Sequence, residues 1–312
     1  MRMRPVFDLF KSAPPLDDDA LTSLELQERV FADVVSDPLL TKYAVAESYR
    51  HLFVSTLLKR VEAAHGELFE PLVELVTRPP PPTLEDAFCY RVFELSTGER
   101  FVVRTMASAF STTGLAAWSA GLRLLEWSVN RRTDLVATHV LELGCGTALA
   151  ALFWQRVCRK VTLTDYAPIV LHNAQHNMML PENGPQSAEV CYALLDFDKC
   201  SDDELGALLD DVDVVAAADI LYTEQLVVMV SSLIDRILRL RPSVKVFLLQ
   251  VERTRELVDA FLGRLASVNV IAVDQASVGS AEADPPLLEV AERELLRFFQ
   301  FSRPPANNER AV

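Results

Sequence analysis

The run Val140-Leu141-Glu142-Leu143-Gly144-Cys145-Gly146-Thr147-Ala148 constrains this chain more than any other stretch. A strand of buried type enters a turn of small residues, and a helical pattern opens directly after it. Such a turn lets backbone N–H groups come close to a nucleoside ligand, because glycine carries no Cβ and accepts a positive φ. The next apolar run ends on Asp165, 21 positions after Gly144, where a ribose-binding carboxylate is expected in a strand-loop-helix-strand unit. The competing reading is a helix-opening turn that holds no ligand.

The pattern around this turn is an alternation of strands and helices. Strands are expected over Val140–Leu143, Val161–Thr164, Val190–Leu195, Val212–Ala217, Lys245–Val251, Val268–Val273 and Leu295–Phe301. Helices are expected over Gly114–Val129, Leu149–Cys158, Ile169–Met179, Asp203–Leu209, Leu226–Leu240 and Thr254–Ala266. This implies an α/β fold, a Rossmann-like parallel sheet of seven strands with helices on both faces. Ligands of such sheets bind beyond the carboxyl ends of the strands, so the informative loops follow Leu143, Thr164, Leu195 and Ala217.

Upstream, apolar residues recur at helical spacing between Leu21 and Val76, as in Tyr49, Leu52, Phe53, Thr56, Leu57 and Val61. Pro79-Pro80-Pro81-Pro82 reads as a stiff connector or, alternatively, as a motif for a partner. Tyr90–Leu95 and Arg100–Thr105 read as a β-hairpin around Ser96-Thr97-Gly98-Glu99. The expected organisation is a helical accessory region over 1–78, proline linker and hairpin over 79–109, the main domain over 110–302 and a tail over 303–312.

Charge narrows the partners. With 44 acidic against 30 basic residues the net charge is -14, and no Lys/Arg-rich block is present. Direct nucleic-acid binding is therefore not expected, whereas a basic protein surface or a lysine side chain suits the chain. Five cysteines, at 89, 145, 158, 191 and 200, form no C-x-x-C pair and read as reduced thiols. There is no apolar run of about 20 residues, and the basic start Met1-Arg2-Met3-Arg4-Pro5 leads into acidic rather than apolar sequence. A cytoplasmic, monomeric protein with no membrane association is expected.

Dinucleotides and S-adenosylmethionine both use a turn of this kind, and the spelling favours the second. A dinucleotide fingerprint needs G-x-G-x-x-G, and position 149 is leucine. The methyltransferase spelling E/D-x-G-x-G-x-G fits Glu142, Gly144 and Gly146, with Ala148 in place of the last glycine. That alanine is comfortable only at negative φ. After the third strand, Asp196 and Phe197 offer an acceptor and a ring to an adenine; the alternative is a turn cap and a core residue. After the fourth, Asp219 and Tyr222 place a carboxylate and a phenol three residues apart. They can orient an acceptor amine, or else act as helix N-cap and packing. Trp118 either covers the cofactor mouth or packs in the core. His172 and His176 lack a third metal ligand, Cys145 lacks an activating base, and Asp202-Asp203-Glu204 reads as a helix N-terminus.

Taken together, Thr112-Thr113-Gly114-Leu115 with Trp118, Val140–Gly146, Leu195-Asp196-Phe197 and Ala217-Ala218-Asp219-Ile220-Leu221-Tyr222 resemble the seven-β-strand protein-lysine methyltransferases of methyltransferase family 16. The likeness covers about Phe110 to Ser302, and D-x-x-Y is its hallmark. Pro38–Arg50 and the helix over Phe53–Ala64 are similar to the accessory region of the elongation factor 2 lysine methyltransferases. The resemblance implies that Trp118, Gly144, Cys145, Gly146, Phe197 and Ala218 contact S-adenosylmethionine and that Asp165 meets its ribose; Glu142, in the turn's spelling, and Asp196, as adenine acceptor, are expected to join them. It also implies that Asp219 and Tyr222 serve lysine access or catalysis, without a metal. Ala148 and Ala151 depart from the usual glycines, and Phe197 from a frequent tryptophan. The expected activity is methyl transfer to a lysine of translation elongation factor 2. Alternatives are another protein substrate, such as a chaperone or other translation factor, and an inactive cofactor-binding scaffold; a nucleobase methyltransferase would carry N/D-P-P-Y/F where this chain has its D-x-x-Y.

Overall fold

A computed structural model describes residues 4–5, 23–43, 47–77, 88–94, 99–106, 113–274 and 296–304. They fall into two compact units, one reaching to Ala116 and one starting at Ala117. The proline run 79–82, the hairpin tip 96–98, Leu21, residues 44–46, Thr112 and residues 305–312 lie outside the described residues.

The first unit contains the expected helical segment and hairpin. Asp37 caps the helix Pro38–Lys42, its Oδ1 accepting from the N–H groups of Leu39 at 2.7 Å and Leu40 at 3.3 Å. Its Oδ2 accepts from Arg100 at 2.8 Å, which ties the helix to the hairpin. Along the helix Glu47–Ala63, the buried stripe is Phe53, Val54, Leu57, Leu58 and Val61. Leu52, expected within the stripe, is 63% exposed, because the stripe turns past it. The strands β1 (Arg4–Pro5), β2 (Phe88–Glu94) and β3 (Arg100–Met106) form an antiparallel sheet in that order, with Val92 opposite Val102.

The second unit is a seven-stranded sheet flanked by helices. Its strands are β4 (His139–Leu143), β5 (Lys160–Asp165), β6 (Glu189–Leu194), β7 (Val214–Ala218), β8 (Lys245–Val251), β9 (Ile271–Asp274) and β10 (Leu296–Ser302). The spatial order is β6-β5-β4-β7-β8-β10-β9. β4 lies parallel between β5 and β7, and the chain reverses its direction of travel across the sheet there. That reversal opens a crevice beyond the carboxyl ends of the strands, as doubly wound sheets require.

Two expectations need correction. The sheet is not parallel throughout, since β10 runs antiparallel between β8 and β9. Side-chain alternation is the same whichever way a strand points, so burial pattern alone carries no direction. The helix expected over Gly114–Val129 is in two pieces, a 3-10 turn at Thr113–Leu115 and a helix at Ser119–Asn130. Trp118 lies between them with extended backbone and takes the N-cap position. Apolar spacing reports which residues are buried, and an interruption of helical hydrogen bonding leaves it unchanged.

The sheet's amino-terminal end carries a pH-sensitive group. The His139 ring is buried, with Nδ1 3.1 Å from the Asp211 carbonyl and Nε2 2.9 Å from Thr162 Oγ1. Burial, with Lys160 second, pushes its pKa below the ordinary value. The unfolded chain, at about 6.5, therefore takes up this proton before the folded one does. His139 contributes its stability above that pH and loses it as pH falls toward the folded value. Between pH 7.5 and 5.5 the urea midpoint should drop, and His139→Gln should flatten that part of the profile; an unchanged slope in the variant would refute the assignment.

Candidate active site

The candidate site begins where β4 ends. Gly144, Gly146 and Ala148 alternate at positive φ, +63°, +52° and +58°, which folds the turn tightly back on itself. Ala148 thus violates the condition set for it, and it does so fully buried, at a cost of about 1–2 kcal/mol for a residue with a Cβ. Gly144 meets two demands at once. Besides its φ, a Cβ built there would lie 3.0 Å from Ile220 Cγ2 and 3.9 Å from Phe197 Cζ. Those distances bring the loops after β4, β6 and β7 together around one glycine.

Two acidic residues flank the turn. Asp165, at the end of β5, is 5% exposed, and its carboxylate accepts from the N–H of Gly146 at 3.3 Å and of Ala167 at 3.1 Å. Burial raises its pKa despite these bonds. Glu142 is buried within β4, and its Oε2 has no hydrogen-bond partner. Desolvation drives its carboxyl well above the usual carboxylate range, and the charge of Asp165 adds to that. A buried acceptor without a donor costs roughly 1–3 kcal/mol, so this oxygen is held at the expense of stability. The same surroundings, burial first and then Glu142 and Asp165, push the Cys145 thiol well above its ordinary pKa, which makes it a packing residue and not a nucleophile.

The other candidates divide. Phe197 packs against the core beside Gly144. Asp196 turns into its own loop, accepting from the Asp198 N–H at 3.1 Å and the Lys199 ammonium at 2.7 Å, which is the turn-capping arrangement. Ala218 ends β7 half-buried. Asp219 follows it at φ +58° and is no helix cap; Thr223 takes that role, accepting from the Leu226 N–H at 3.2 Å. Trp118 and Tyr222 are 38% and 43% exposed, so neither is a core residue.

Several residues that support the site escaped sequence reasoning. Arg253 pairs with Asp219 at 2.6 Å, and Gln250 of β8 donates to the same carboxylate at 3.0 Å. Gln250 left a signal, a lone polar residue in the apolar run Val246–Val251; Arg253 left none. A chain of buried amides holds the far side of the turn. Asn177 Nδ2 donates to the Thr147 carbonyl at 3.1 Å, Asn183 to the Asn177 carbonyl at 2.7 Å, and Gln155 to the Asn183 carbonyl at 3.3 Å. Ser201 and Glu204 form a capping box at Asp202–Leu208, as the acidic run suggested. Among the described residues no cluster of three metal-ligand side chains occurs, and His172 lies exposed on its helix. No helix among them is long and apolar enough to cross a membrane.

Comparison with known proteins gives the site a context. Residues 103–268 match the family described as lysine methyltransferase. Over 229 residues the chain is 30% identical to the protein-lysine N-methyltransferase EEF2KMT of Bos taurus, covering 65% of this chain and 65% of that protein. The chain thus spans just under two thirds of the bovine relative's length. Over 287 residues it is 29% identical to the protein-lysine N-methyltransferase EFM3 of Chaetomium thermophilum, covering 79% and 80% of the two chains. Among solved structures, the N-methyltransferase NodS from Bradyrhizobium japonicum, in complex with S-adenosyl-L-homocysteine, aligns with a TM-score of 0.39 at 16% identity over 59% of this chain and 85% of its own.

Proposed function

The chain belongs to the lysine methyltransferase family, and we propose that it is an S-adenosylmethionine-dependent protein-lysine N-methyltransferase whose substrate is translation elongation factor 2. The observation that carries this reading is the buried Glu142 carboxylate with an unpartnered oxygen beside a turn that only glycine can make at Gly144. A nucleoside cofactor bearing an ammonium group and ribose hydroxyls fits that donor-poor cradle. Gly144, Cys145 and Gly146 would border it, Glu142 and Asp165 would accept its hydrogen bonds, and Phe197, Asp196, Ala218 and Trp118 would line its adenosine end. When bound, S-adenosylmethionine supplies a methyl group on a sulfonium that departs as a neutral thioether.

What remains for the protein is to present a neutral amine in line. A lysine with a pKa of about 10.4 must shed a proton to solvent before it can attack. Docking against the exposed Trp118 and Tyr222, next to buried Asp219, would strip water from the ammonium, and that desolvation favours the neutral form. Asp219 and the Tyr222 hydroxyl then orient the nitrogen. Residues 1–78 serve as the substrate reader, and the net charge of -14 suits a basic target surface. The same reading puts the enzyme in the cytoplasm as a monomer.

The test is transfer of labelled methyl from S-adenosylmethionine to purified elongation factor 2, with a whole-cell extract alongside. Label on a lysine of the factor, reduced at least a hundredfold in Asp219→Asn, is the expected result. Label only on another protein of the extract would replace the substrate, and no label on any protein would sink the activity.

A further inference from the structure

The carboxylate of the D-x-x-Y segment is held by a strand end that carries none of the family's motifs quoted above. Asp219 sits in the left-handed region at φ +58°, and its side chain is 3% exposed. Both of its oxygens are engaged by one guanidinium. Arg253 Nη1 donates to Oδ1 at 2.7 Å, and Nη2 donates to Oδ2 at 2.6 Å. Gln250 Nε2 adds a third bond, to Oδ1 at 3.0 Å. The same amide accepts from the Leu221 N–H at 3.0 Å and donates to the Leu221 carbonyl at 3.1 Å, which fixes the backbone one residue before Tyr222. On its other side, the Arg253 guanidinium lies 5.5 Å from the centre of the Trp118 ring. Two distant segments, one carrying Trp118 and the other Asp219 and Tyr222, thus share support at the end of β8.

We propose that Arg253 is a positioning residue of the methyl-transfer site, acting through Asp219 and Trp118. The proposal rests on the lysine methyltransferase reading and adds to it a residue outside the D-x-x-Y segment. A planar fork bonded to both oxygens sets the rotation of a carboxylate as well as its place, and its flat face accepts an aromatic ring. An ammonium is a point charge and sets neither. With Arg253 and Gln250 directing its lone pairs, Asp219 presents a fixed charge to the incoming amine instead of swinging onto it. Fixed geometry is what an in-line reaction needs, since a displacement of about 1 Å at a reacting group can cost on the order of a hundredfold in rate. A purely structural role makes a different demand. If Arg253 served only to neutralise a buried carboxylate, any cation at that position would do.

The lysine variant separates the two. Arg253→Lys and Arg253→Gln are compared with the wild type by thermal unfolding, by the Trp118 indole N–H resonance recorded without cofactor and assigned with Trp118→Phe, and by kcat and KM on the protein the wild type methylates. In Arg253→Lys the unfolding midpoint should stay near that of the wild type. Its indole resonance should shift, and kcat should fall at least tenfold with KM changed less than threefold. Arg253→Gln should lose the unfolding midpoint as well; if it fails to fold, the lysine variant carries the test. Wild-type kcat in Arg253→Lys, or an indole resonance unmoved in it, would overturn the proposal. Should the wild type itself methylate no protein, the lysine methyltransferase reading falls, and the indole resonance alone decides whether Arg253 seats Trp118.

Discussion

Alanine at Gly144 is expected to lower the unfolding free energy by about 2–5 kcal/mol and to abolish S-adenosylmethionine binding. The first contribution is conformational. At φ +63° a residue with a Cβ gives up about 1–2 kcal/mol. The second is steric, because the new Cβ would lie 3.0 Å from Ile220 Cγ2. Ile220 is itself buried in the core cluster and has nowhere to retreat, so overpacking adds roughly 1–3 kcal/mol. A shift of Ile220 would move the loop that carries Asp219, so damage to the turn reaches that carboxylate as well. Gly206 and Gly263 supply the comparison. Both sit in helices, with nothing within 4 Å of a Cβ built on them, and alanine there should stabilise by about 0.5–1 kcal/mol. Urea unfolding of the three variants, with calorimetric titration of cofactor, checks the contrast. A Gly144→Ala protein as stable as Gly206→Ala that still binds would show that the turn is looser than described.

Glu142→Gln should do two opposite things, raising stability near pH 8 by about 1–3 kcal/mol while weakening cofactor binding at least tenfold. Folding strips the Glu142 carboxyl of water and sets it near Asp165, so its folded pKa lies well above that of the unfolded chain, about 4.3. A raised pKa contributes stability below the unfolded value, and that contribution disappears as pH climbs through the folded one. Glutamine does not titrate, so its advantage should be absent near pH 4 and grow with rising pH. Asp165, also raised, keeps a slope of the same sign in the variant. The cost appears in function, because the orphaned oxygen is the group a bound ammonium would satisfy. Melting curves from pH 4 to 8 with matched cofactor titrations decide it; a stability gap that does not change with pH would refute the linkage.

Much of the second unit was legible because its strands are short apolar runs between clear stops; the strand over Lys245–Val251 is found with its expected bounds. The separation of Gly144 and Asp165 could be counted, and the structure joins the two segments by the Gly146 N–H. Less visible features depend on partners far away in the chain. Gln250 and Arg253 reach Asp219 across 31 and 34 positions, and no local pattern announces such a pairing. Ala148 could be read as a departure from glycine, but its left-handed φ follows from the closure of the turn and not from its neighbours in sequence. Asp196 was legible by its place at the end of the third strand of the pattern, whereas its ion pair with Lys199 was not.

The antiparallel insertion of β10 between β8 and β9 also orders events in time. A ribosome makes Gln250 and Arg253 long before residues 296–302, yet β8 has one open edge until those residues arrive to pair with it. During synthesis, then, the strand supporting Asp219 borders a gap that β9 cannot close alone, since its partner in the sheet is β10. An unpaired edge of this kind attracts other strands, so the interval before β10 docks is when the nascent chain most needs shielding. A premature stop before residue 296 would therefore trap the half holding β8 and Asp219 in its sticky form, even though Asp219 and both residues that bond its carboxylate had already been translated.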